Sequence, residues 1–301
     1  MKPLTIVYTT ARAEPHIEWF LDSLKPQRKS QDIIKVMIVD LGCDQEWPAT
    51  ENLGDGIIRL APKPNLWQGK HRITKQDWWA KSNALNTGIC LCQTEWIAFV
   101  DDRSVLGPRW LEEIRNASDN TYGNPRAFCG GYQKRYNMEV VGGVIKQQGE
   151  VSGKDPRTNM PPHKLRSGSF WFGCTNAMPL EQALKVNGYP EDYCDGHSYE
   201  DTAFGRMLHN NSIALEYKRD MMIIEDRTPG KLGPDIRRED KGVSPNDKSH
   251  ALVAAFRGAK NSMNSYNIRD MRSSVLGGNP FPPPTGRITD WYDGQPIKDF
   301  A

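Results

Sequence analysis

The sequence lacks a hydrophobic run long enough to cross a membrane, and neither sign of charge dominates it. A bilayer crossing takes roughly 18 or more consecutive apolar residues, and no stretch of the 301 residues approaches that length. The N-terminal segment also lacks the apolar core of a signal peptide. The 39 basic residues nearly balance the 37 acidic ones, and the net charge of +2 gives no support for a chain coated in nucleic acid. We expect a soluble, cytoplasmic protein.

The sequence also lacks a CxxC pair, although it contains six cysteines. Cys90 and Cys92 are separated by one residue within an apolar segment, which favours buried thiols over a zinc site. Without an export signal, reduced cysteines are expected ahead of disulfides.

Internal repeats are absent, and the first hundred residues alternate between two hydrophobic periodicities. Apolar, β-branched runs at 4–10, 33–39, 57–60 and 96–100 predict strands, and the spacing within 15–24 and 79–91 predicts helices. This rhythm implies right-handed parallel crossovers and therefore an α/β sheet. In such sheets, ligands bind beyond the carboxyl ends of the strands.

The second half is less regular. Residues 133–169 predict a hairpin followed by a long loop, and 179–186, 199–208 and 251–259 predict helices. Short strands are expected at 213–217 and 221–225. Beyond residue 230 the chain is rich in proline, glycine and charge, which is typical of a linker or extension.

Acidic residues end two of the predicted strands. Asp40 follows one run, and Asp101 and Asp102 follow another. Adjacent carboxylates at a strand end can hold a divalent cation, which could offset the charge of a diphosphate. They can equally begin a turn and cap the next segment. The two interpretations are evenly balanced on these residues alone.

A second acidic pair, Glu200 and Asp201, opens a predicted helix. Ser198 three residues before Asp201 resembles a capping box, and acids at this position complement the helix dipole. Capping is the stronger interpretation in isolation. The functional alternative is a carboxylate presented at a cleft as a general base.

Several segments, in order, resemble the family 2 glycosyltransferases of GT-A fold. FVDDR resembles their DxD segment, NALNTGI their ALNxG segment, and IVYTTAR and VMIVDLGCD two segments near their N-terminus. The stretch from Trp171 to Leu208 is similar in order to their second half: a glycine-containing segment, a short helix, GG(F/Y)xE, then ED opening a helix that ends in RL. The resemblance covers residues 4 to about 226.

The resemblance implies a Rossmann-like, mostly parallel central sheet flanked by helices, with an irregular C-terminal extension. Residues 1–230 would form the GT-A domain, with a nucleotide-sugar-binding half at 1–105 and an acceptor and catalytic half at 106–230. Residues 231–301 would pack on this domain or cover its active site.

The resemblance also implies an inverting hexosyl- or pentosyltransferase that uses a nucleotide diphosphate sugar, expected to be a UDP-sugar. Asp201 would be the general base, and Glu200 would contact the acceptor or orient the helix. The expected nucleotide-sugar-binding residues are Thr9, Thr10, Arg12, Asp40, Lys81, Asn86, Asp101, Asp102 and Arg103. The expected acceptor residues are Trp171, Phe172 and His197.

The DDR triplet departs from the family pattern, because Arg103 stands where the family carries a metal ligand. A guanidinium has no lone pair to offer a cation. Either Asp102 or a later carboxylate, Glu225 or Asp226, replaces it, or Arg103 binds the diphosphate and reduces the need for a metal. We expect Mg²⁺ or Mn²⁺ held by Asp101 or Asp102 together with Glu225.

Two alternatives and the acceptor stay open. Because of the DDR triplet, a catalytically inactive GT-A domain that serves as a sugar- or partner-binding module is one alternative. A nucleotidyltransferase is a less favoured alternative, because no glycine-rich basic phosphate loop follows the first strand. The acceptor could be a glycan or a hydroxymethylated base in DNA, which would be flipped from its duplex. Basic residues of the predicted loop are compatible with DNA: Lys134, Arg135, Lys146, Lys154, Arg157, Lys164 and Arg166.

Overall fold

The centre of the fold is a sheet of eleven strands. It is seen in a computed structural model that describes residues 1–12, 14–40, 50–64, 80–119, 126–147, 149–194, 199–228 and 256–281. The strands of the described chain are β1 Leu4–Thr10, β2 Ile34–Asp40, β3 Thr50–Gly54, β4 Ile57–Leu60, β5 Trp96–Asp101, β6 Ser104–Leu106, β7 Arg126–Arg135, β8 Glu139–Val141, β9 Val144–Gln147, β10 Val151–Lys154, β11 His163–Lys164, β12 Thr175–Pro179 and β13 Ala214–Asp226. The helices are α1 Ile17–Leu24, α2 Lys81–Leu91, α3 Trp110–Asp119, α4 Leu180–Lys185, α5 Glu191–Cys194, α6 Glu200–Asn210 and α7 Ile268–Leu276.

The strand order is β11-β13-β7-β12-β5-β1-β2-β4-β3, with β10 paired to β7 and β6 paired to β13. The four strands β5, β1, β2 and β4 are parallel, and β7 and β13 form another parallel pair. Between these two groups, β12 runs antiparallel to both β5 and β7. The predicted α/β fold, with a mostly parallel centre flanked by helices, is confirmed.

Helices cover both faces of the sheet, which explains the uninterrupted apolar runs of the central strands. Every residue of β1 and β5 is buried, as expected for strands enclosed on both sides. Val7 packs with α2, α6 and α7 on one face. The next residue, Tyr8, packs with α1 and α3 on the other, because successive side chains of a strand point to opposite faces.

Helix α2 lies directly against β1, and a glycine permits this close approach. A Cβ atom at Gly88 would lie 2.5 Å from Cγ2 of Val7. Nearly the whole helix is buried, so its polar residues must find partners inside the protein. The position of α2 therefore determines where Lys81 and Asn86 can reach.

The second half differs in detail from the predicted elements. The two short strands expected at 213–217 and 221–225 form one strand, β13, whose pairing with β7 shifts register between Lys218 and Ile223. The predicted hairpin and loop contain β8 to β11. Residues 256–259 of the helix predicted at 251–259 are not helical, and the rest of that segment lies outside the described residues.

The described part of the C-terminal region contributes to the main core. Phe256, Ile268, Met271 and Phe281 are buried in the same cluster as α2 and α6. Helix α7 is capped at its N-terminus by Asn267, whose side chain accepts hydrogen bonds from the backbone N–H groups of Arg269 and Asp270. In the described part of the chain, no helix combines the length and the apolar character needed to cross a bilayer.

Candidate active site

The strand register brings the predicted strand-end residues to one edge of the sheet. Thr9 of β1 lies opposite Asp101 of β5, and Thr10 lies opposite Asp40 of β2. The three parallel strands thus end together, with their polar side chains at the carboxyl edge where α/β proteins bind ligands.

Lys81 joins the acidic residues of the two halves of the chain. Its Nζ lies 2.7 Å from Oδ1 of Asp101 and 3.5 Å from Oε1 of Glu200. Asp101 ends β5, and Glu200 begins α6 about a hundred residues later. The two acidic segments singled out in the sequence therefore meet around one lysine, which begins α2.

Asp201 is held beside this cluster by backbone donors. The N–H of Gly173 donates to its Oδ2 at 3.0 Å, and the N–H of Thr202 donates to Oδ1 at 2.6 Å. A Cβ at position 173 would lie only 2.8 Å from Cβ of Asp201, so glycine is required for this approach. The residue after Gly173 is Cys174, and its carbonyl accepts a hydrogen bond from the N–H of Asp101 at 3.0 Å. The Gly173–Cys174 segment therefore links Asp201 to the end of β5.

A third segment adds Glu225, the penultimate residue of β13. Ligand atoms of Asp101, Cys174 and Glu225 lie within 4.8 Å of one another. Glu225 is almost completely buried, with 1% of its surface exposed, and its Oε1 lies 2.8 Å from Nε of Arg227. Its Oε2 has no hydrogen-bond partner among the residues described.

These donors fit a divalent cation. Atoms that ligate one ion at about 2.0–2.3 Å are separated by at most about 4.6 Å, and the three ligand atoms, all within 4.8 Å of one another, are close to this limit or inside it. A buried carboxylate oxygen without a partner is costly, and a cation would satisfy it. Asp101 and Glu225 were expected to bind a metal, whereas Cys174 was not.

Asp102 is occupied differently. Its Oδ2 accepts the hydroxyl of Thr10 at 2.7 Å, and both its oxygens lie 2.9 Å from Nε of Arg12. It does not belong to the converging ligand group found in the described chain. The structure therefore brings three of the expected donor-binding residues together, but as a mutual network that fixes the loop after β1.

Arg103 points into the protein interior. Its side chain is fully buried and forms an ion pair with Asp226, and its Nη1 donates to the carbonyl of Glu14 at 3.0 Å. The backbone has a positive φ of 51° at this residue, a left-handed conformation that is uncommon for residues other than glycine. The guanidinium of Arg103 and the carboxylate of Asp226 are therefore both enclosed by the protein.

Two other predicted residues also lie in the interior. Asn86 donates to the carbonyl of Tyr189 at 2.9 Å and accepts the N–H of the same residue at 2.8 Å. Trp171 is fully buried and its ring lies 6.5 Å from that of Phe204. Asn86 thus belongs to a buried hydrogen-bond network, and Trp171 belongs to the hydrophobic core.

The remaining predicted residues are near the sheet edge or undescribed. Asp40 binds Arg59, whose Nε lies 3.0 Å from Oδ2. Phe172 is half-buried against Tyr132, with ring centroids 5.7 Å apart. His197 lies outside the described residues.

Burial and the concentration of acids alter the ionisation of the cluster. Burial alone would lower the pKa of Lys81, but the carboxylates of Asp101 and Glu200 raise it well above its ordinary value. Burial raises the pKa of Glu200, and Lys81 opposes this shift. Burial, then Asp101 and Glu225, raise the pKa of the Cys174 thiol. The lysine is thus firmly charged, while Glu200 is easier to protonate than an ordinary glutamate.

The predicted basic loop contains an unexpected internal anchor. Arg157 is buried between the rings of Phe172 and Tyr217, each 4.3 Å away. Its Nε and Nη2 bond the two oxygens of Asp155 at 2.8 and 2.7 Å. The DPR sequence gave no sign of this, because a charged residue in a polar loop ordinarily predicts exposure.

Comparison with known proteins shows the fold. No protein-family model and no curated protein sequence matches the chain. Among solved structures, S. aureus TarS 1–349 in complex with UDP has a TM-score of 0.56 at 13% identity, covering 92% of this chain and 70% of that one. The same S. aureus segment in complex with UDP-GlcNAc has a TM-score of 0.53 at 13% identity, covering 92% and 71%. At this identity the likeness establishes a shared fold, which agrees with the predicted GT-A architecture.

Proposed function

We propose that the protein is an inverting glycosyltransferase, which moves a sugar from a UDP-sugar to an acceptor hydroxyl. The observation that carries this proposal is the ion-pair bridge of Lys81 between Asp101 and Glu200. It joins a strand-end acid, suited to the donor diphosphate, to the helix that begins with the candidate base. The fold shared with TarS, solved with UDP and UDP-GlcNAc, supports the choice of donor.

The donor would lie across the carboxyl ends of β1, β2 and β5. Thr9 and Asp40 border this edge, where Asp40 would accept hydrogen bonds from ribose or base. Asp101 and Glu225 would hold a Mn²⁺ or Mg²⁺ ion. When bound, the ion would offset the negative charge of the diphosphate. Lys81 supplies a permanent positive charge at the same place.

Asp201 would act as the general base. The acceptor oxygen forms a bond to the anomeric carbon from the face opposite the diphosphate, the bond to the diphosphate breaks with its electron pair, and Asp201 takes the hydroxyl proton. The backbone donors of Gly173 and Thr202 fix the orientation of this carboxylate. A base held in this way contributes about 10²–10⁴-fold. Glu200 would orient the helix through Lys81.

The acceptor is a glycan or a hydroxymethylated base in DNA. Phe172 directly precedes Gly173, whose N–H donates to Asp201, and it would border the acceptor. The basic character of the loop supports DNA less than its composition suggests, because Arg157 and Arg135 are engaged with protein atoms. If duplex DNA is the acceptor, binding should weaken steeply with salt, and no binding at low salt would exclude it.

A direct test incubates the protein with a panel of UDP-sugars and acceptors and measures UDP release together with the product's anomeric configuration. We expect transfer with inversion from a UDP-sugar, and loss of transfer in excess chelator. Tight UDP-sugar binding without turnover across the panel would instead favour the catalytically inactive binding module. Full activity in chelator would remove the cation from the proposal.

A further inference from the structure

Cys174 occupies a position that the proposed reaction does not use. It lies immediately before β12, and its carbonyl accepts the Asp101 N–H at 3.0 Å. The two residues are thus adjacent across the sheet. The Cys174 Sγ lies within 4.8 Å of carboxylate oxygens of both Asp101 and Glu225. The thiol therefore faces the same small volume as two acids from different strands.

Glu225 provides a second, independent indication that this volume takes a ligand. Its side chain is 99% buried, and Arg227 lies against one of its oxygens. The other oxygen has no hydrogen-bond partner within the described residues. Lys81 contacts Oδ1 of Asp101, but a carboxylate has two oxygens, so this contact leaves Asp101 able to bind a cation as well.

A donor set of two carboxylates and one thiol differs in its metal preference from an all-oxygen set. Mg²⁺ is bound by oxygen ligands and keeps several waters. Thiolate ligands select softer ions, and zinc accepts sulfur and oxygen together. A cysteine at this position would therefore alter which cation the site retains.

We propose that Cys174 is a ligand of the divalent cation held by Asp101 and Glu225, and that its sulfur makes the site prefer thiophilic ions such as Zn²⁺ and Cd²⁺ over Mg²⁺. This inference rests on the proposed function only where it assigns the ion a role, which is to offset the charge of the donor diphosphate. Ion binding itself is measurable without any sugar donor or acceptor.

The test is titration of the folded protein with Cd²⁺, followed through the ultraviolet sulfur-to-cadmium charge-transfer band. Cys174→Ser and Cys174→Ala are compared with Cys92→Ser, which alters a buried thiol at the far end of α2. We expect the band in wild type and Cys92→Ser, its loss in both Cys174 variants, and a fall in Cd²⁺ affinity of about tenfold or more. Mg²⁺ affinity should change by less than about threefold, because a hard cation gains little from sulfur.

An unchanged band or unchanged Cd²⁺ affinity in folded Cys174→Ser or Cys174→Ala would overturn the inference. Asp101→Asn and Glu225→Gln should each weaken Cd²⁺ binding as well. Wild-type Cd²⁺ affinity in both variants would show that the thiol binds the ion without the carboxylates, contrary to the proposal. Sugar transfer without a Cys174-dependent band would refute only this inference. A Cys174-dependent band without transfer from any donor would leave the metal ligand in place and refute the glycosyltransferase.

Discussion

Helix α2 contributes to two buried polar clusters whose charges are compensated in different ways. In the first, Nζ of Lys63 lies 2.8 Å from Oε1 of Glu191, and both side chains are enclosed. Asn83 and Asn86 donate to the same glutamate at 3.0 and 3.1 Å, and the hydroxyl of Tyr266 donates to it at 2.6 Å. One cation pairs with one anion, and three further donors satisfy the remaining hydrogen-bonding capacity of the carboxylate.

The second cluster, at the start of α2, has an excess of acid. Lys81 faces both Asp101 and Glu200, and Glu225 adds a carboxylate with an oxygen that no described residue bonds. A cluster closed by its own donors stabilises a fold, whereas one with unused acceptors can bind a cation or a proton. The same helix thus contributes to a structural ion pair, Lys63–Glu191, and to a candidate active site around Lys81.

The largest effect should come from Asp201→Asn. An amide cannot take up the proton of the attacking hydroxyl, so turnover should fall by about 10²–10⁴-fold. The affinity for the UDP-sugar should stay within about threefold of the wild-type value. Asp220→Asn, which removes a surface carboxylate paired with Arg109, serves as the matched control. Initial rates and calorimetric binding separate the two quantities. Unchanged turnover in Asp201→Asn would remove Asp201 from its assigned role.

Substitutions in the Lys63–Glu191 cluster should lower the free energy of unfolding. Glu191→Ala leaves Lys63 buried without its anion, and we expect a loss of about 3–5 kcal/mol in unfolding free energy. Replacing both partners, as in Lys63→Met with Glu191→Leu, should recover only part of that loss, because Asn83, Asn86 and Tyr266 still lose their acceptor. Urea denaturation of the single and double variants measures this. A cost below about 1 kcal/mol for Glu191→Ala would show that the pair does not fix this part of the fold.

Lys81→Met should weaken donor binding. The substitution removes the charge that faces Asp101 and Glu200 and would face the diphosphate, and a charge-assisted bond of about 1.5–3 kcal/mol corresponds to roughly 10–100-fold in affinity. Lys2→Met, which removes an exposed ion pair with Glu95, should have no such effect. Equal UDP affinities in the two variants would place Lys81 outside the donor site.

The smallest effect should come from the ion pair between Arg115 of α3 and Asp32, which lies just before β2. Nη2 of Arg115 lies 2.6 Å from Oδ2 of Asp32. Burial would raise the pKa of Asp32, but the hydrogen bonds from Arg115 and from the N–H of Lys29, together with the charge of Arg115, lower it. A lowered pKa stabilises the fold above the ordinary aspartate range, and this contribution is lost as pH falls through the native value.

Asp32→Asn should therefore cost up to about 1 kcal/mol near neutral pH. The difference between this variant and wild type should shrink as the solution is acidified. Urea titrations at neutral and acidic pH give both values. A difference that grows on acidification would contradict the assigned shift.

Some of this organisation was predictable from sequence, and some was not. The apolar runs ending in Asp40 and Asp101 predicted parallel strands and the edge at which they end. The destinations of long polar side chains were not predictable, because Arg103 and Arg157 form buried ion pairs with Asp226 and Asp155 that depend on tertiary packing.

The candidate site shows the same division. The acids at 101 and 200 carry local signals, a strand end and a helix start. Cys174 carries none, because its approach to Glu225 depends on the placement of β12 and β13 in the sheet. Helix α7 was also missed, since its apolar face is short and its main signal is the cap at Asn267.

We propose that acids from three segments of the chain surround one donor site. Crystals of the full chain soaked with UDP and Mn²⁺, with anomalous data collected at the manganese edge, test it most directly. We expect one manganese peak beside Asp101 and Glu225, with the UDP phosphates near Lys81. Well-ordered UDP bound elsewhere, with no peak at these carboxylates, would contradict it.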